Sequence, residues 1–184
     1  MNIPSAPTPL KLGFLSIREE PSGYLGGYLV TNAWGRPLEF RVSNPVLPNR
    51  VQQILYGDTL RAYIFADVVG KTLVEKTGTN VQIIVTDCQP ALDLRRSIQI
   101  PVVWLTATDD PQDLSPPLDC AELEVPRTSL AKGNIHCHPE FAVDKPAVCK
   151  LIDRLPDGLD LAEPFARIRE AIGEARKMGT SRCA

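Results

Sequence analysis

The sequence predicts a mixed α/β fold: a five-stranded mixed sheet with packed helices and a loop-rich C-terminal extension that ends in a helix. Three observations support this prediction. Apolar and polar residues alternate early in the chain, a helical-period run follows between residues 58 and 78, and two nearly all-apolar runs come next, at 80–88 and 99–107. An antiparallel meander followed by a strand–helix–strand unit accounts for all three.

The meander consists of predicted strands at 10–17, 24–32 and 36–43. In the stretch "RPLEFRVS", Leu38, Phe40 and Val42 alternate with charged residues, which is typical of a strand with one face in water. Because only short turns join the three strands, we expect them to pair in antiparallel order.

The next part of the chain predicts a long helix and two buried strands. Apolar residues recur near helical spacing at Leu60, Ile64, Val68 and Leu73. The strands at 80–88 and 99–107 flank the short helical stretch "PALDLRRSI", and their apolar character is typical of strands covered on both faces. A strand, helix, strand order implies a parallel pair with a right-handed crossover.

The rest of the chain predicts an extension on a single domain. Five prolines between 111 and 139 exclude long elements, although "AELEV" allows a short strand. Asp160 and Glu163 fit a capping box at the start of the last helix. The predicted organisation is an extended arm at 1–9, an α/β core at 10–107, a proline-rich extension at 108–157, and a C-terminal helix and tail at 158–184 packed on the core.

Composition excludes several classes of protein. The 20 basic and 22 acidic residues give a net charge of −2 without any run of like charges, so charge does not support nucleic acid as a partner. The longest apolar stretches are far shorter than the roughly 18 to 20 residues that cross a bilayer, so no membrane association is expected. An odd number of irregularly spaced cysteines and an N-terminus without the pattern of a secretory signal favour the cytoplasm.

The order of elements resembles that of the ribonuclease H-like fold, over residues 10–107 and the helix near 160–178. This resemblance implies two Mg²⁺ ions held by carboxylates on the first strand, at the end of the fourth strand and on the last helix. Asp87 ends the predicted fourth strand and is the candidate catalytic residue, while Asp160 or Glu163 could serve near the last helix. The first strand contains no acid, however, and Ser16 stands where a carboxylate is needed. A strand-end aspartate that bonds the next turn is the competing interpretation of Asp87.

The stretch "GNIHCHPEF" contains both histidines of the chain, His136 and His138. Alternate side chains of an extended segment point the same way, so these two residues with Cys149 form a candidate zinc site, with Cys120 as a further ligand. Their spacing matches no zinc template, and the sequence favours the alternative of a turn before a helix.

No phosphate-binding glycine loop, nucleophile elbow or metalloprotease motif occurs in the sequence. The proline-rich arm and extension therefore favour a non-catalytic interaction or scaffolding subunit of a larger assembly, with another protein chain as its partner and without a cofactor. Two hypotheses of other classes remain. One is a ribonuclease H-like enzyme that processes nucleic acid or nucleotides with Asp87 and magnesium, and the other is a small zinc-stabilised module.

Overall fold

The computed structural model describes residues 9–106, 121–123 and 134–180. Residues 1–8 of the predicted arm, and residues 108–120 and 124–133 of the predicted extension, lie outside the described part. Within it, a seven-stranded mixed sheet has the order β3-β2-β1-β4-β5-β7-β6. The strands are β1 (Lys11–Glu20), β2 (Gly23–Asn32), β3 (Pro37–Val42), β4 (Ile83–Thr86), β5 (Val102–Leu105), β6 (Ala121–Leu123) and β7 (Ile135–Cys137).

The mixed α/β fold is confirmed, but the predicted strand number was too low. The five predicted strands lie side by side, and β6 and β7 extend the sheet beyond β5. Each of these two strands has three residues, which is too short for an alternating pattern to show in the sequence. β7 also corrects the interpretation of the histidine segment, because residues 135–137 form a strand and the helical turn begins only after them.

Strand pairing gives the sheet a point at which the chain changes direction. β1 pairs with β2 in antiparallel order and with β4 in parallel order. After β1 the chain builds the sheet on one side, through β2 and β3. After β4 it builds the sheet on the other side, through β5, which is parallel to β4. The boundary between β1 and β4 is therefore a topological switch point.

One face of the sheet is covered by helical segments that precede and follow β4 in the chain. The helix predicted across 58–78 is a continuous run of changing pitch, whose Ile64, Phe65 and Val69 are buried. After β4, a 3₁₀ helix at Gln89–Arg96 packs on the same face. The run comprises α1 (Arg50–Tyr56), a 3₁₀ turn (Gly57–Thr59), α2 (Leu60–Tyr63), a π-helical segment (Ile64–Gly70) and α3 (Lys71–Glu75).

The opposite face is covered by α4 (Lys145–Ile152) and α5 (Glu163–Thr180). Phe165 on α5 meets Phe14 on β1 in an edge-to-face contact, with ring centroids 5.7 Å apart. The 3₁₀ helix Pro139–Asp144 leads into α4. Through Phe165, Ile168 and Ile172 the last helix packs against the sheet.

Two adjacent glycines in β2 allow helices to approach both faces. A Cβ atom on Gly26 would overlap the Val69 side chain, and one on Gly27 would lie 2.6 Å from the Ile168 side chain on α5. Any side chain at these positions would push a helical layer outward. This explains why a strand otherwise rich in large residues contains two glycines in succession.

The described residues include no helix that is both long enough and apolar enough to cross a membrane.

Candidate functional site

The switch point places Asp87 at the carboxyl edge of the sheet. Leu15 of β1 is paired with Thr86 of β4, and β4 ends there, so that Asp87 emerges beside Ser16. In open α/β sheets, ligands bind at the carboxyl ends of strands on either side of such a switch point. The topology therefore identifies this edge as the place to look for a functional site.

Three elements bring side chains to Asp87. The Ser16 hydroxyl on β1 donates to Asp87 Oδ2 over 2.9 Å. Arg169 on α5 donates to the same oxygen through Nη1 over 3.3 Å. The thiol of Cys88 lies 3.1 Å from Asp87 Oδ1 and 3.1 Å from the carbonyl oxygen of Ile17. Since a thiol has one hydrogen, Cys88 can donate to only one of these two oxygens at a time.

Burial dominates the electrostatics of this cluster. Burial raises the pKa of the Asp87 carboxyl above its ordinary value, although the hydrogen bonds from Cys88 and Ser16 and the charge of Arg169 act in the opposite direction. Burial also raises the pKa of the Cys88 thiol, and the nearby Asp87 charge adds to this effect. Cys88 therefore remains a neutral thiol, whereas Asp87 is a stronger base than an exposed aspartate. Carboxyls perturbed in this way concentrate at functional sites.

The residues of this cluster do not fit a centre for two Mg²⁺ ions. Such a centre needs carboxylates on the first strand and the last helix, and these elements present Ser16 and Arg169 instead. A neutral hydroxyl cannot supply the missing charge, and a guanidinium repels a cation. Across the described ranges, no group of three or more histidine, cysteine or acidic residues is arranged to hold a metal ion.

The two acids proposed near the last helix lie elsewhere. Asp160 accepts a hydrogen bond from the backbone N–H of Ala162, and Glu163 pairs with Arg167. Both acids line a cleft that also contains Trp34, from the turn between β2 and β3. This turn is at the opposite edge of the sheet from Asp87, so neither acid can complete the Asp87 site.

The candidate zinc ligands are placed on both sides of the sheet. The ring of His136 lies 5.0 Å from that of Trp104, in the core beneath α2 and the π-helical segment. Cys149 on α4 packs against the other core, which also contains Cys137. The structure therefore does not bring His136 and Cys149 together. Cys120 lies outside the described residues.

His138 is held by two hydrogen bonds. Its Nδ1 accepts from the backbone N–H of Glu140 over 3.1 Å, and its Nε2 lies 3.0 Å from Asp93 Oδ1. Since Nδ1 is an acceptor, Nε2 carries the hydrogen and donates to the Asp93 carboxylate. Neither nitrogen is directed toward a metal, and His138 instead orients Asp93.

An open cleft lies close to the Asp87 cluster, on the face of the sheet covered by α2. Its wall includes Gln89 and Pro90, which directly follow Cys88 in the chain. Its volume, about 460 Å³, is in the usual range for small-molecule sites. The remaining residues that line it are Asp58, Arg61, Ala62, Leu92, Asp93, Arg96, His138 and Pro139.

Sequence reasoning identified Asp87 and Ser16 but missed Arg169. This residue directly follows Ile168, which forms an apolar stripe at helical spacing with Phe165 and Ile172. A charged residue beside such a stripe lies at the boundary between the core and water, where its end can reach a neighbouring site. That position was the available signal.

The sheet is covered by helices on both faces and combines an antiparallel meander with a parallel pair, which is the arrangement that the resemblance to the ribonuclease H-like fold implies. The comparison with solved structures agrees. Endonuclease V from Streptomyces avermitilis has a TM-score of 0.50 at 14% identity, over 92% of this chain and 85% of that one. At this identity the comparison shows the fold.

Two further endonuclease V structures match with lower scores. The enzyme from Ciona intestinalis, in complex with DNA containing an inosine followed by a ribo-adenosine, has a TM-score of 0.47 at 9% identity, over 91% of this chain and 87% of that one. The Bacillus subtilis enzyme has a TM-score of 0.47 at 10% identity, over 92% and 87%. No protein-family model matches the sequence, and the search of curated proteins finds no relative.

These findings correct two expectations from the sequence. The preference for a non-catalytic protein-interaction or scaffolding subunit was wrong, because the fold is shared with an endonuclease and so favours the alternative of nucleic-acid processing. Setting nucleic acid aside on charge was also wrong, because the fold is shared with an endonuclease. Net charge is a sum over the whole chain, and it says nothing about which charges the fold collects at one edge.

Proposed function

We propose that the protein is an enzyme that processes nucleic acid or nucleotides at the cluster formed by Ser16, Asp87 and Arg169. The observation that carries this proposal is the position of a partly buried carboxylate at the topological switch point of the sheet, where desolvation raises its pKa. The endonuclease fold supports the same choice of substrate class.

The three side chains suit attack on a phosphate ester. A carboxylate with a raised pKa can take a proton from an attacking water, and a positioned general base contributes about 10²- to 10⁴-fold to a rate. Arg169 contacts Asp87 through only one nitrogen, so its other N–H groups can stabilise the charge that develops on phosphate oxygens. Ser16 fixes the orientation of the carboxylate.

The dependence of the reaction on Mg²⁺ is one of the quantities that the experiment below measures. Mg²⁺ is commonly bound through one or two carboxylates together with phosphate oxygens of the substrate. Asp87 is the one carboxylate of the cluster that could contact such an ion, but the Arg169 guanidinium on the same carboxylate repels a cation. The roles assigned above to Asp87, Arg169 and Ser16 do not depend on it.

The decisive experiment measures cleavage by the wild-type protein and by Asp87→Asn. Labelled single- and double-stranded DNA and RNA oligonucleotides, and nucleoside triphosphates, are incubated with Mg²⁺, with Mn²⁺ or with a chelator. We expect turnover of at least one substrate by the wild type, and a loss of about 100-fold or more in Asp87→Asn because the general base is removed.

Asp157→Asn is the matched control, since it makes the same chemical change on an exposed residue at the opposite edge of the sheet. It should retain wild-type activity. Circular dichroism and thermal unfolding verify that each variant is folded. A folded wild-type protein that turns over none of these substrates, or an Asp87→Asn variant as active as the wild type, would refute the proposal.

A further inference from the structure

We propose that Arg18 and Arg61 form a phosphate-binding pair, which holds the backbone of a single-stranded nucleic acid across the sheet edge at Asp87. This inference rests on the proposed function for the identity of the ligand. The choice of Arg18 and Arg61 rests on their positions in the structure. Neither residue was identified from the sequence, because they are 43 positions apart and belong to different elements.

Arg18 lies on the α5 side of the edge. It follows Ser16 by two residues on β1, so both side chains are on the same face of the strand. β4 ends opposite Leu15, and β1 continues beyond it to Glu20, where no strand of the described ranges pairs with it on that side. The Arg18 side chain is exposed there, next to the hydroxyl that contacts Asp87.

Arg61 lies on the other side of the same edge. It belongs to α2, and its guanidinium is 5.3 Å from the centre of the Phe65 ring. Its positive charge acts to lower the pKa of the Cys88 thiol, against the larger effect of burial. It also lines the cleft that continues from Gln89 and Pro90. A polymer that contacts both Arg18 and Arg61 must therefore cross the end of β1 from one face of the sheet to the other, close to Asp87.

The other arginines at this edge are already paired with carboxylates. Arg176 pairs with Glu20, and Arg96 pairs with Glu140. Arg169 contacts Asp87 itself. Arg18 and Arg61 form no ion pair with any described residue, so a phosphate can bind them without first displacing a carboxylate.

Two carboxylates also line the cleft near Arg61. Asp93 is held by His138, and Asp58 precedes Arg61 by three residues without pairing with it. These acids disfavour deep entry of phosphate into the cleft. They leave its mouth, where the exposed Arg61 meets the sheet edge, as the place where the backbone is bound.

The test compares two double variants that remove the same charge. Arg18→Gln/Arg61→Gln removes the proposed pair. Arg36→Gln/Lys76→Gln removes two exposed cations near the amino ends of β1 and β4, at the opposite edge. Both are made in the Asp87→Asn background, so that a fluorescent single-stranded oligonucleotide remains intact. Its anisotropy gives the Kd at several salt concentrations.

We expect the Arg18→Gln/Arg61→Gln variant to bind at least tenfold more weakly than its parent. The slope of log Kd against log salt concentration should become shallower by about 1.4, because each phosphate contact to a single strand contributes about 0.7. The control double variant should change Kd by less than threefold. Equal losses in the two double variants would overturn the inference.

Competitors distinguish the sources of phosphate. Inorganic phosphate and adenosine monophosphate should displace the oligonucleotide only at concentrations far above its Kd, and a matching duplex should bind more weakly than the single strand. A duplex that binds more tightly, or adenosine monophosphate that competes as well as an oligonucleotide, would contradict a path for a single strand.

Failure of this inference differs from failure of the proposed function. If oligonucleotide binding depends on Arg18 and Arg61 but the wild type cleaves nothing, then the binding pair stands and the proposed chemistry is wrong. If the wild type cleaves and Arg18→Gln/Arg61→Gln keeps the same KM, then the chemistry stands and the binding pair is wrong.

Discussion

Two arginine–carboxylate pairs in this molecule use their charges differently. In the pair of Arg95 with Asp144, Arg95 donates to Asp144 through two nitrogens, over 2.6 and 3.2 Å, and its third donates to the carbonyl oxygen of Ile98. Both side chains are close to 90% buried. Arg169 and Asp87 share a single contact of 3.3 Å.

The difference separates a structural pair from a functional one. All three nitrogens of the Arg95 guanidinium are engaged, so its strong hydrogen bonds hold the 3₁₀ helix after β4 to the segment before α4. Asp87 engages only one N–H group of Arg169, and the other N–H groups of this guanidinium are left for a ligand. Burial raises the pKa of the Asp87 carboxyl that Arg169 contacts. A site built for binding leaves such groups incompletely satisfied, at the expense of stability.

The largest effect on stability should come from Asp144→Asn. Removing one charge of a buried pair leaves the other uncompensated, and we expect a loss of about 3 kcal/mol in the free energy of unfolding. Denaturation by urea measures this loss, and cleavage and binding per folded molecule should change by less than twofold. A loss below about 1 kcal/mol would contradict the structural role of the pair, because exposed ion pairs stabilise proteins by that amount or less.

A smaller effect on stability, but a large effect on activity, should follow Arg169→Gln. The side chain is 37% exposed and makes one long contact, so we expect a change in unfolding free energy of no more than about 1 kcal/mol. Turnover should nevertheless fall by about tenfold or more, because a charge that stabilises phosphate oxygens is lost. Arg167→Gln, two positions earlier on α5, serves as the control. Turnover equal to that of the wild type would make Arg169 a structural residue.

The raised pKa of the Asp87 carboxyl should also affect how the stability of the protein depends on pH. Its pKa in the folded protein is raised above the ordinary value of 3.8, so the folded state binds this proton more tightly than the unfolded state does. The stability of the wild type relative to Asp87→Asn should therefore decrease as the pH rises from below 3.8 through the folded pKa. Thermal unfolding of both proteins between pH 3 and pH 7 measures the difference. An increase over that range would contradict the raised pKa.

Glu39 should give the smallest effect, with the opposite sign. Hydrogen bonds from Arg41 and from the backbone of Gly78, together with those from Thr79, lower the pKa of Glu39 to about 2. The contribution of this carboxylate is therefore present above the ordinary value of 4.5 and is lost as the pH falls toward 2. Glu39→Gln should reduce stability slightly near neutral pH, and the difference should vanish near pH 2. A difference that persists at pH 2 would show that charge is not the cause.

The central strands and the position of Asp87 could be predicted because local patterns encode them. Alternation in "RPLEFRVS" and the apolar run before Asp87 are properties of neighbouring residues. The short strand β7 carries no such pattern, since three residues are too few. The approach of Arg18, Arg61 and Arg169 to one edge could not be predicted, because it depends on how distant elements pack.

The glycines of β2 have a consequence for the candidate site on the neighbouring strand. Gly27 lies directly against Ile168, and the next residue on α5 is Arg169, whose contact with Asp87 is already long. The depth at which α5 settles on the sheet thus sets the reach of that guanidinium. The absence of a Cβ atom at Gly27 on β2 therefore sets the distance between Arg169 and Asp87, although Asp87 follows a strand two positions away in the sheet.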